Sequence, residues 1–472
     1  YTQGDYTDLC RGPHVKSTKL CKYFKLIKHS GAYWKGDKNQ KVLQRIYGVC
    51  FPTQEELDAH LAALEDAKAR DHRKLGKELS MFMFSETVGA GLPMWLPNGF
   101  TVRRALSDYI MNKELAQGYV HVKTPSVVST KLYKISGHLE HYKKDMFPIM
   151  EREGDEYVLR PMNCPEHMMM YKNRLHSYRD LPVRIAEVAD DFRFEASGAL
   201  TGIERSRAFA QNDSHIFCRP DQIADEIKNI TKLILDVYKD FGFTEYFFRL
   251  SLRDKNDTEK YFGNDELWEK SEAELRKVLN EMGVKYYEAE GEAAFYGPKI
   301  DVQVNSAIGH EVTLSTIQLD YQLPERFELE YVDKDGKKAR PVVIHRAILG
   351  SLDRFVAFLL EETKGILPLW LAPQQAVVIP VSPEAHGEYA HHVVEEMRKL
   401  GIRVELDDRN EKLGYRIREA QTSKIPVEIV VGDGEKESNG VTVRRYGSRQ
   451  EVKKSMEDFL KDIQEEIQSK KM

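Results

Sequence analysis

The sequence predicts an α+β fold: a mostly antiparallel β-sheet core flanked by helices, joined to a C-terminal α/β domain and preceded by a short β-rich segment. Three observations carry this. In the central region strand-like runs lie close together and are joined by hairpin signals, of which FELEYV, DKDG, PVVIH with its Asp-Gly turn is the clearest. Among them stands a helix over about 221–241, with Ile223, Ile227, Ile230, Ile234, Val237 and Phe241 on one face. From residue 373 onward strands alternate with helices.

In chain order, residues 1–52 read as short strands: KYFKLIKHSGAYWKG and KVLQRIYGVCF are rich in aromatic and branched residues around turn-like SGA and GDKN. Residues 53–78 read as one helix. Thr53 with Glu56 makes a capping box, and Leu57, Leu61 and Leu64 recur at helical spacing. The charged KARDHRKLGKEL that follows marks it as a solvent-facing connector. Residues 79–372 are the central domain, closed by the prolines of LPLWLAPQQ. Residues 373–472 hold QAVVIPVS, a helix over 384–400, IRVELDD, a helix over 412–423, PVEIVVG, VTVRRYG and a last helix over 449–467.

The chain has 472 residues, enough for two to four domains at roughly 100–200 residues each. Hydrophobic residues are 41% and charged residues 31%, the balance of a chain with a sizeable core. Lys and Arg number 70 against 75 Asp and Glu, which excludes a purely electrostatic nucleic-acid binder and leaves room for local basic patches. Five widely spaced cysteines without a C-x-x-C pair argue against a disulfide framework and for a reducing compartment. No run approaches the roughly 18 apolar residues of a membrane helix. The chain opens on Tyr1 in what reads as mid-strand, so a further N-terminal portion is expected.

Neither G-x-x-x-x-G-K-[ST] nor G-x-G-x-x-G is present, so a nucleotide would have to be gripped by arginines. DFRFEASGALTGIERSRAF offers Arg193, Glu195, Arg205 and Arg207 around a Ser-Gly turn. HRAILGSLDRF places Arg354 on an apolar helix beside Leu352, Phe355 and Leu359, where a cation needs an anionic partner. For a metal there are two alternatives. Cys164-x2-His167 with His215-x2-Cys218 would make a closed Cys2His2 site, whereas Cys164, His215 and His345 would leave a coordination position open. Taken singly, Cys164 reads first as an inert buried thiol and His215 as a satisfied core histidine. Spacing does not choose between these.

RPMNCPEH, FRFEASGAL, QNDSHIF, AAFYGPKID, STIQLDY and VVIHRAILGSLDRF, in that order, resemble the threonyl-tRNA synthetases, class II aminoacyl-tRNA synthetases. GFTVRRAL with Pro125 resembles motif 1, the dimer element, DFRFEASGAL motif 2 and HRAILGSLDRF motif 3. The resemblance covers essentially the whole chain and implies a class II synthetase core, a linker helix, an anticodon-binding domain over 373–472 and part of an editing domain over 1–52. It implies ATP-dependent activation of L-threonine and transfer to tRNA(Thr) by a cytoplasmic homodimer, with Mg2+ accompanying ATP and one Zn2+ per chain on Cys164, His215 and His345. An open zinc would bind both the amino group and the hydroxyl of threonine, which valine cannot match; an apolar pocket alone separates such isosteres poorly. Asp213 would accept the hydroxyl hydrogen bond.

The resemblance further implies Arg193 on the α-phosphate, Arg354 on the γ-phosphate, Glu195 at the adenine amino group, Phe209 stacked on the base and Arg205 on the triphosphate tail. Tyr296, Lys299, Gln211, Gln318, Thr316 and Met162 would line the substrate pocket. In the C-terminal domain Arg409, Asn410, Glu411, Arg418, Glu435 and Arg444 are candidate RNA contacts. DLCRGPH supplies Cys10 and His14 of an editing site, but no two histidines of this chain are four apart, so the H-x-x-x-H half is absent and this chain is expected not to edit by itself. Three departures stand out: Ala208 and Ala210, expected to crowd the nucleotide site slightly, and Glu166, where a small or neutral residue is usual. Two rival readings are a different class II synthetase, such as the prolyl or histidyl enzyme, and a synthetase-like RNA-binding regulator without catalysis.

Overall fold

The computed structural model describes the chain apart from residues 1, 8–10, 38, 262, 263, 308 and 310, and divides into two units, 1–69 and 70–472. In the first unit β1 (Tyr23–Tyr33) and β2 (Val42–Phe51) form an antiparallel ribbon. The SGA stretch is not a turn: Gly31 stays in the ladder opposite Gln44. The chain reverses beyond Trp34, whose N–H donates to the Lys41 carbonyl at 3.0 Å. Thr53 and Glu56 form the expected reciprocal capping box, each side chain accepting the other's backbone N–H at 3.2 Å, and open α1 (Gln54–Arg70).

The single helix expected over 53–78 is two. Asp71 leaves helical conformation and its carboxylate accepts the Arg73 N–H at 2.8 Å, capping a new helix, α2 (His72–Glu78). Nor does α2 face solvent: His72, Leu75 and Gly76 are buried. Next come α3 (Pro97–Ala116), β3 (Val120–His121), α4 (Cys164–Lys172), β4 (Val183–Phe192), β5 (Ala208–Cys218) and α5 (Ile223–Asp240). The predicted apolar face of α5 is buried along its whole length. After it follow β6 (Tyr246–Leu252), α6 (Asp265–Glu281), β7 (Tyr286–Glu290), β8 (Lys299–Asn305), β9 (Glu311–Asp320), β10 (Val342–Ser351) and α7 (Leu352–Thr363).

These strands make one eight-stranded sheet in the order β7-β6-β8-β9-β10-β5-β4-β3, antiparallel except at its two edges. The Asp-Gly hairpin exists, but its arms are Tyr331–Val332 and Lys338–Ala339. VVIH belongs instead to β10, at the sheet centre, where residues 342–349 are all buried. Helices α3, α5 and α7 cover one face with a continuous apolar core. The opposite face carries the polar side chains described below.

The C-terminal part has its own core. It is built from β11 (Ala376–Pro380), α8 (Pro383–Lys399), β12 (Val404–Leu406), α9 (Leu413–Thr422), β13 (Val427–Val431), β14 (Gly440–Arg445), β15 (Glu451–Ser455) and α10 (Met456–Ser469). The sheet order is β12-β11-β13-β14-β15. The last helix begins seven residues later than expected over 449–467, because 451–455 pair with β14 and Ser455 supplies the cap. The linker is clasped tightly: Arg403 donates to the carbonyls of Trp370, Ala372 and Pro373 at 2.8–3.2 Å, while the Trp370 ring packs on Tyr109 and Phe241.

A fully buried ion pair ties α3 to the sheet centre. Arg346 donates to Glu114 at 2.6 Å, Asn212 donates to the same carboxylate at 2.8 Å, and His121 stands 3.1 Å away. Removing one partner strands the other charge in the core. Glu114→Ala is expected to lower stability by about 3–5 kcal/mol, read from urea unfolding of the chain; a loss below about 1 kcal/mol would contradict this role.

Candidate active site

Register builds the site. Lys299, Gln318, His345 and His215 stand directly across from one another on β8, β9, β10 and β5. Two residues along, Asp301, Thr316, Ala347 and Asp213 form the next row. Strand side chains alternate, so both rows lie on one face. The same alternation sends Cys218, three residues from His215, to the other face, where it is wholly buried in the apolar core with Ile216. The closed Cys2His2 set is therefore not assembled.

Cys164 is the first residue of α4, and its sulfur and ligand nitrogens of His215 and His345 all lie within 4.8 Å of one another, buried. The neighbours leave each imidazole one free nitrogen. His345 Nε2 donates to Asp320 at 2.9 Å, which leaves Nδ1. His215 Nδ1 is 2.7 Å from His167 Nδ1, and His215 Nε2 is buried with no hydrogen-bond partner among the described residues. His167 passes the chain to Glu187 at 3.3 Å. Burial alone would raise the Glu187 pKa; hydrogen bonds from His167 and Thr124 and the charge of Arg160 outweigh it and hold the carboxyl at about 2. One thiol, two imidazoles with oriented outer partners and a stranded buried nitrogen are the donor set and support that zinc takes.

A cavity of about 610 Å³ opens above these residues. Met162, Gln211, Asp213, Tyr296, Lys299, Thr316 and Gln318 line it beside Cys164, His215 and His345, and Arg193, Glu195, Arg205, Phe209 and Arg354 line it too, so every catalytic, substrate, nucleotide and metal candidate of the central domain meets here. The Tyr296 hydroxyl donates to Gln318, and its ring stacks on His345 with centroids 4.7 Å apart. Lys299, Ser251 and Arg249 converge on Asp301 at 2.7–2.8 Å. Burial pushes the Asp213 carboxyl pKa up, opposed by the nearby His345, His167 and Arg346.

At the other end Arg193 lies over the Phe209 ring at 5.0 Å and donates to the Pro161 carbonyl at 3.2 Å. Glu195 and Arg205, expected to contact different parts of a nucleotide, pair with each other at 2.9 Å. Arg354 donates to the Glu204 carbonyl at 3.2 Å. Burial pulls the Arg354 pKa below its ordinary value; Glu204 opposes this, and Arg193 and Arg205 add to it. Three guanidinium groups thus face one cavity, a setting that favours an anion.

Several working residues were not visible from sequence. Asp320 orients His345, and His138 stands 3.8 Å from the Cys164 sulfur. Asp353 accepts the Ala210 N–H at 2.8 Å and the Trp95 indole N–H at 3.2 Å, pinning the start of α7 to β5. Only the alternate placement of Asp320 two residues after Gln318 was a readable signal. Of the departures, Ala208 and Ala210 do not crowd the nucleotide end: Phe209 and Gln211 line the cavity, so the even positions face away, and Ala210 is buried in the core. Glu166 is buried, accepts from Tyr133 at 3.4 Å, is absent from the cavity wall, and is pushed up to about 7 by burial.

The C-terminal candidates do not form one cluster. Arg409 and Arg418 line a groove of about 410 Å³, with Arg409 paired to Asp407 at 2.7 Å and to Glu419. Asn410 and Glu411 are exposed beside it. Glu435 is engaged internally, accepting from the Gly432 N–H at 3.0 Å and Thr442 at 2.7 Å, and Arg444 stands 3.5 Å from Glu451. His14 is exposed, and Cys10 lies outside the described residues.

An antiparallel sheet that carries arginines from the β4–β5 connection and from α7 into one cavity, followed by an α/β domain, is the plan of a class II aminoacyl-tRNA synthetase. Accordingly residues 142–363 match the tRNA synthetase class II core domain (G, H, P, S and T), 375–466 the anticodon binding domain, and 1–47 the threonyl and alanyl tRNA synthetase second additional domain. The threonine–tRNA ligase of Staphylococcus carnosus (strain TM300) is 58% identical over 472 residues, all of this chain and 73% of that protein. A crystal structure of the RNA binding domain of threonyl-tRNA synthetase from Cryptosporidium parvum Iowa II superposes with TM-score 0.80 at 38% identity, covering 84% of this chain and 98% of that one. Prolyl-tRNA synthetase from Cryptosporidium parvum, 18% identical with TM-score 0.62 over 84% of this chain and 77% of that one, shares the fold alone. This chain belongs to the threonine–tRNA ligase family, and is an enzyme of that class.

The geometry separates two cysteines cleanly. Cys164→Ala is expected to abolish metal retention and Cys218→Ala to leave it intact, measured as zinc per chain after dialysis. Equal loss in both would restore the closed set.

Proposed function

We propose that this chain joins L-threonine to tRNA(Thr) in two steps, ATP-dependent formation of threonyl-adenylate and transfer to the 3′-terminal ribose. The observation that carries the reading is the meeting of a Cys/His/His donor set with Arg193, Arg205 and Arg354 in one cavity. In the first step a threonine carboxylate oxygen attacks the α-phosphorus of ATP and pyrophosphate leaves. No covalent enzyme nucleophile is needed, so the protein's work is positioning and charge neutralisation.

Arg193 holds the α-phosphate and Arg354 the γ-phosphate, with Mg2+ accompanying ATP. The Glu195–Arg205 pair opens to take the adenine amino group and the triphosphate tail. Arg205 is half-exposed, and such a pair is worth only about 0–1 kcal/mol, so the exchange costs little. Phe209 stacks on the base. Cys164, His215 and His345 hold a zinc, which when bound supplies a Lewis-acidic position for the amino and hydroxyl groups of threonine. Asp213 accepts the hydroxyl proton's hydrogen bond, and Tyr296, Lys299, Gln211, Gln318, Thr316 and Met162 shape the pocket around the amino acid.

The same reading assigns Arg409, Asn410, Glu411 and Arg418 to the anticodon, with Glu435 and Arg444 as further candidates. It makes the enzyme a cytoplasmic homodimer through α3 and the segment after it, where Phe100, Leu115 and Val120 expose apolar surface. Among the described residues no helix is long and apolar enough to cross a membrane.

Threonine-dependent ATP–pyrophosphate exchange tests the proposal. Valine is expected to support at least about 10³-fold less exchange, since a site built around a hydroxyl leaves polar groups unpaired with valine. Asp213→Ala should erode that ratio. Arg354→Gln is expected to raise KM for ATP by about tenfold or more while sparing KM for threonine. Exchange that is indifferent to threonine would overturn the assignment. The 472-residue chain, lacking any H-x-x-x-H, is also expected to leave seryl-tRNA intact; rapid deacylation would refute that.

A further inference from the structure

The turn 201–205 at the nucleotide end is held from two sides. On the cavity side, Arg354 donates to the Glu204 carbonyl at 3.2 Å, and Glu204, Arg205 and Ser206 line the wall. The turn is closed by backbone bonds between Thr201 and Arg205 at 3.1 and 3.2 Å. From behind it is met by α2. Gly202 has φ +50°, and a Cβ there would lie 2.3 Å from His72 Nε2 and 2.8 Å from Arg73 Cγ. No Cβ fits between the turn and the His72 ring.

His72 is itself braced. It is 2% exposed, and its Nδ1 lies 2.7 Å from the Glu361 carboxylate, also buried. Glu361 sits on α7, the helix that carries Arg354. Arg70 fastens the same junction, donating to the carbonyls of Glu361 and Glu362 at 3.1 and 3.0 Å. His72 Nε2, which faces Gly202, is buried without a hydrogen-bond partner among the described residues. The ring therefore meets the turn by steric contact, with its orientation set from the other nitrogen. A plain core filler would need neither the carboxylate nor the unpartnered nitrogen, both of which carry a desolvation cost.

We infer that His72 is a positioning residue for ATP: wedged between α7 and Gly202, its ring sets the depth of turn 201–205 and so the spacing of Arg205 and Arg354 across the triphosphate. The inference rests on the nucleotide reading given above. It makes α2, a segment remote in sequence from motifs 2 and 3, part of the ATP-site framework.

The test compares His72→Gln, which keeps a donor for Glu361 and removes the ring, with Gly202→Ala and with Gly202→Ala combined with His72→Ala. Two readouts are taken on the full chain: hydrogen–deuterium exchange of residues 199–206, and KM for ATP and for threonine in pyrophosphate exchange. His72→Gln should speed exchange in 199–206 and raise KM for ATP about tenfold, with KM for threonine within twofold. Gly202→Ala should do the same, and removing the ring in the double variant should restore part of the loss. Unchanged exchange in His72→Gln, or a double variant worse than Gly202→Ala, overturns the inference. Faster exchange with an unchanged KM for ATP also overturns it if Arg354→Gln raises that KM; if Arg354→Gln does not, the nucleotide reading itself has failed.

Discussion

The site depends on one constraint, the cross-strand register that sets His345 directly opposite His215 at the centre of the sheet. Their rings meet edge to face with centroids 4.6 Å apart. A slip of one residue on either strand would turn its histidine into the apolar core and bring Ile344 or Ile216 to the cavity floor. The register is held by what lies beneath: isoleucines, leucines and valines from β5, β9 and β10 against α3, α5 and α7. Thus the apolar face specifies the polar one. Cys164 joins from α4, which is seated by its own small cluster with Ile185, Phe217 and Val343.

Around this centre the charges are arranged in layers. Arg160, wholly buried, donates to the backbone of Thr124 and Asp190 and stands 3.5 Å from Glu187 and 3.4 Å from Asp191. Glu187 in turn orients His167, and His167 orients His215. Tautomers in the cluster are therefore set by groups that never reach the cavity, the usual office of outer partners at a metal centre. The arginine end of the cavity follows the opposite logic: Arg193 and Arg354 are held by backbone carbonyls and Arg205 by a weak carboxylate pair, an arrangement that leaves their charge open to an anion.

Much of this was legible in the sequence, and the failures have physical reasons. The apolar period of α5 and the Thr53–Glu56 box are local signals, and local structure obeyed them. The His215-x2-Cys218 pair was ambiguous only while its conformation was open; once it is a strand, a spacing of three puts the two side chains on opposite faces. The same parity disposes of Ala208 and Ala210. By contrast, the break at Asp71 was hidden because a charged stretch reads as exposed helix, while the buried His72 of α2 finds its partner in Glu361, nearly 300 residues away. PVVIH was drawn into the wrong pairing because the Asp-Gly turn closes a hairpin only two residues deep on each arm. Asp320, Asp353 and His72 act through partners that the fold alone brings near.

In the proposed site three residues, from α4, β5 and β10, would hold one metal and keep a place for the amino acid. Zinc K-edge X-ray absorption on the zinc-loaded chain, alone and with saturating threonine or valine, tests it most directly. One sulfur and two imidazole ligands from the protein are expected, with added nitrogen and oxygen scatterers under threonine that valine does not reproduce. A shell of two sulfurs and two imidazoles, unchanged by threonine, would contradict it.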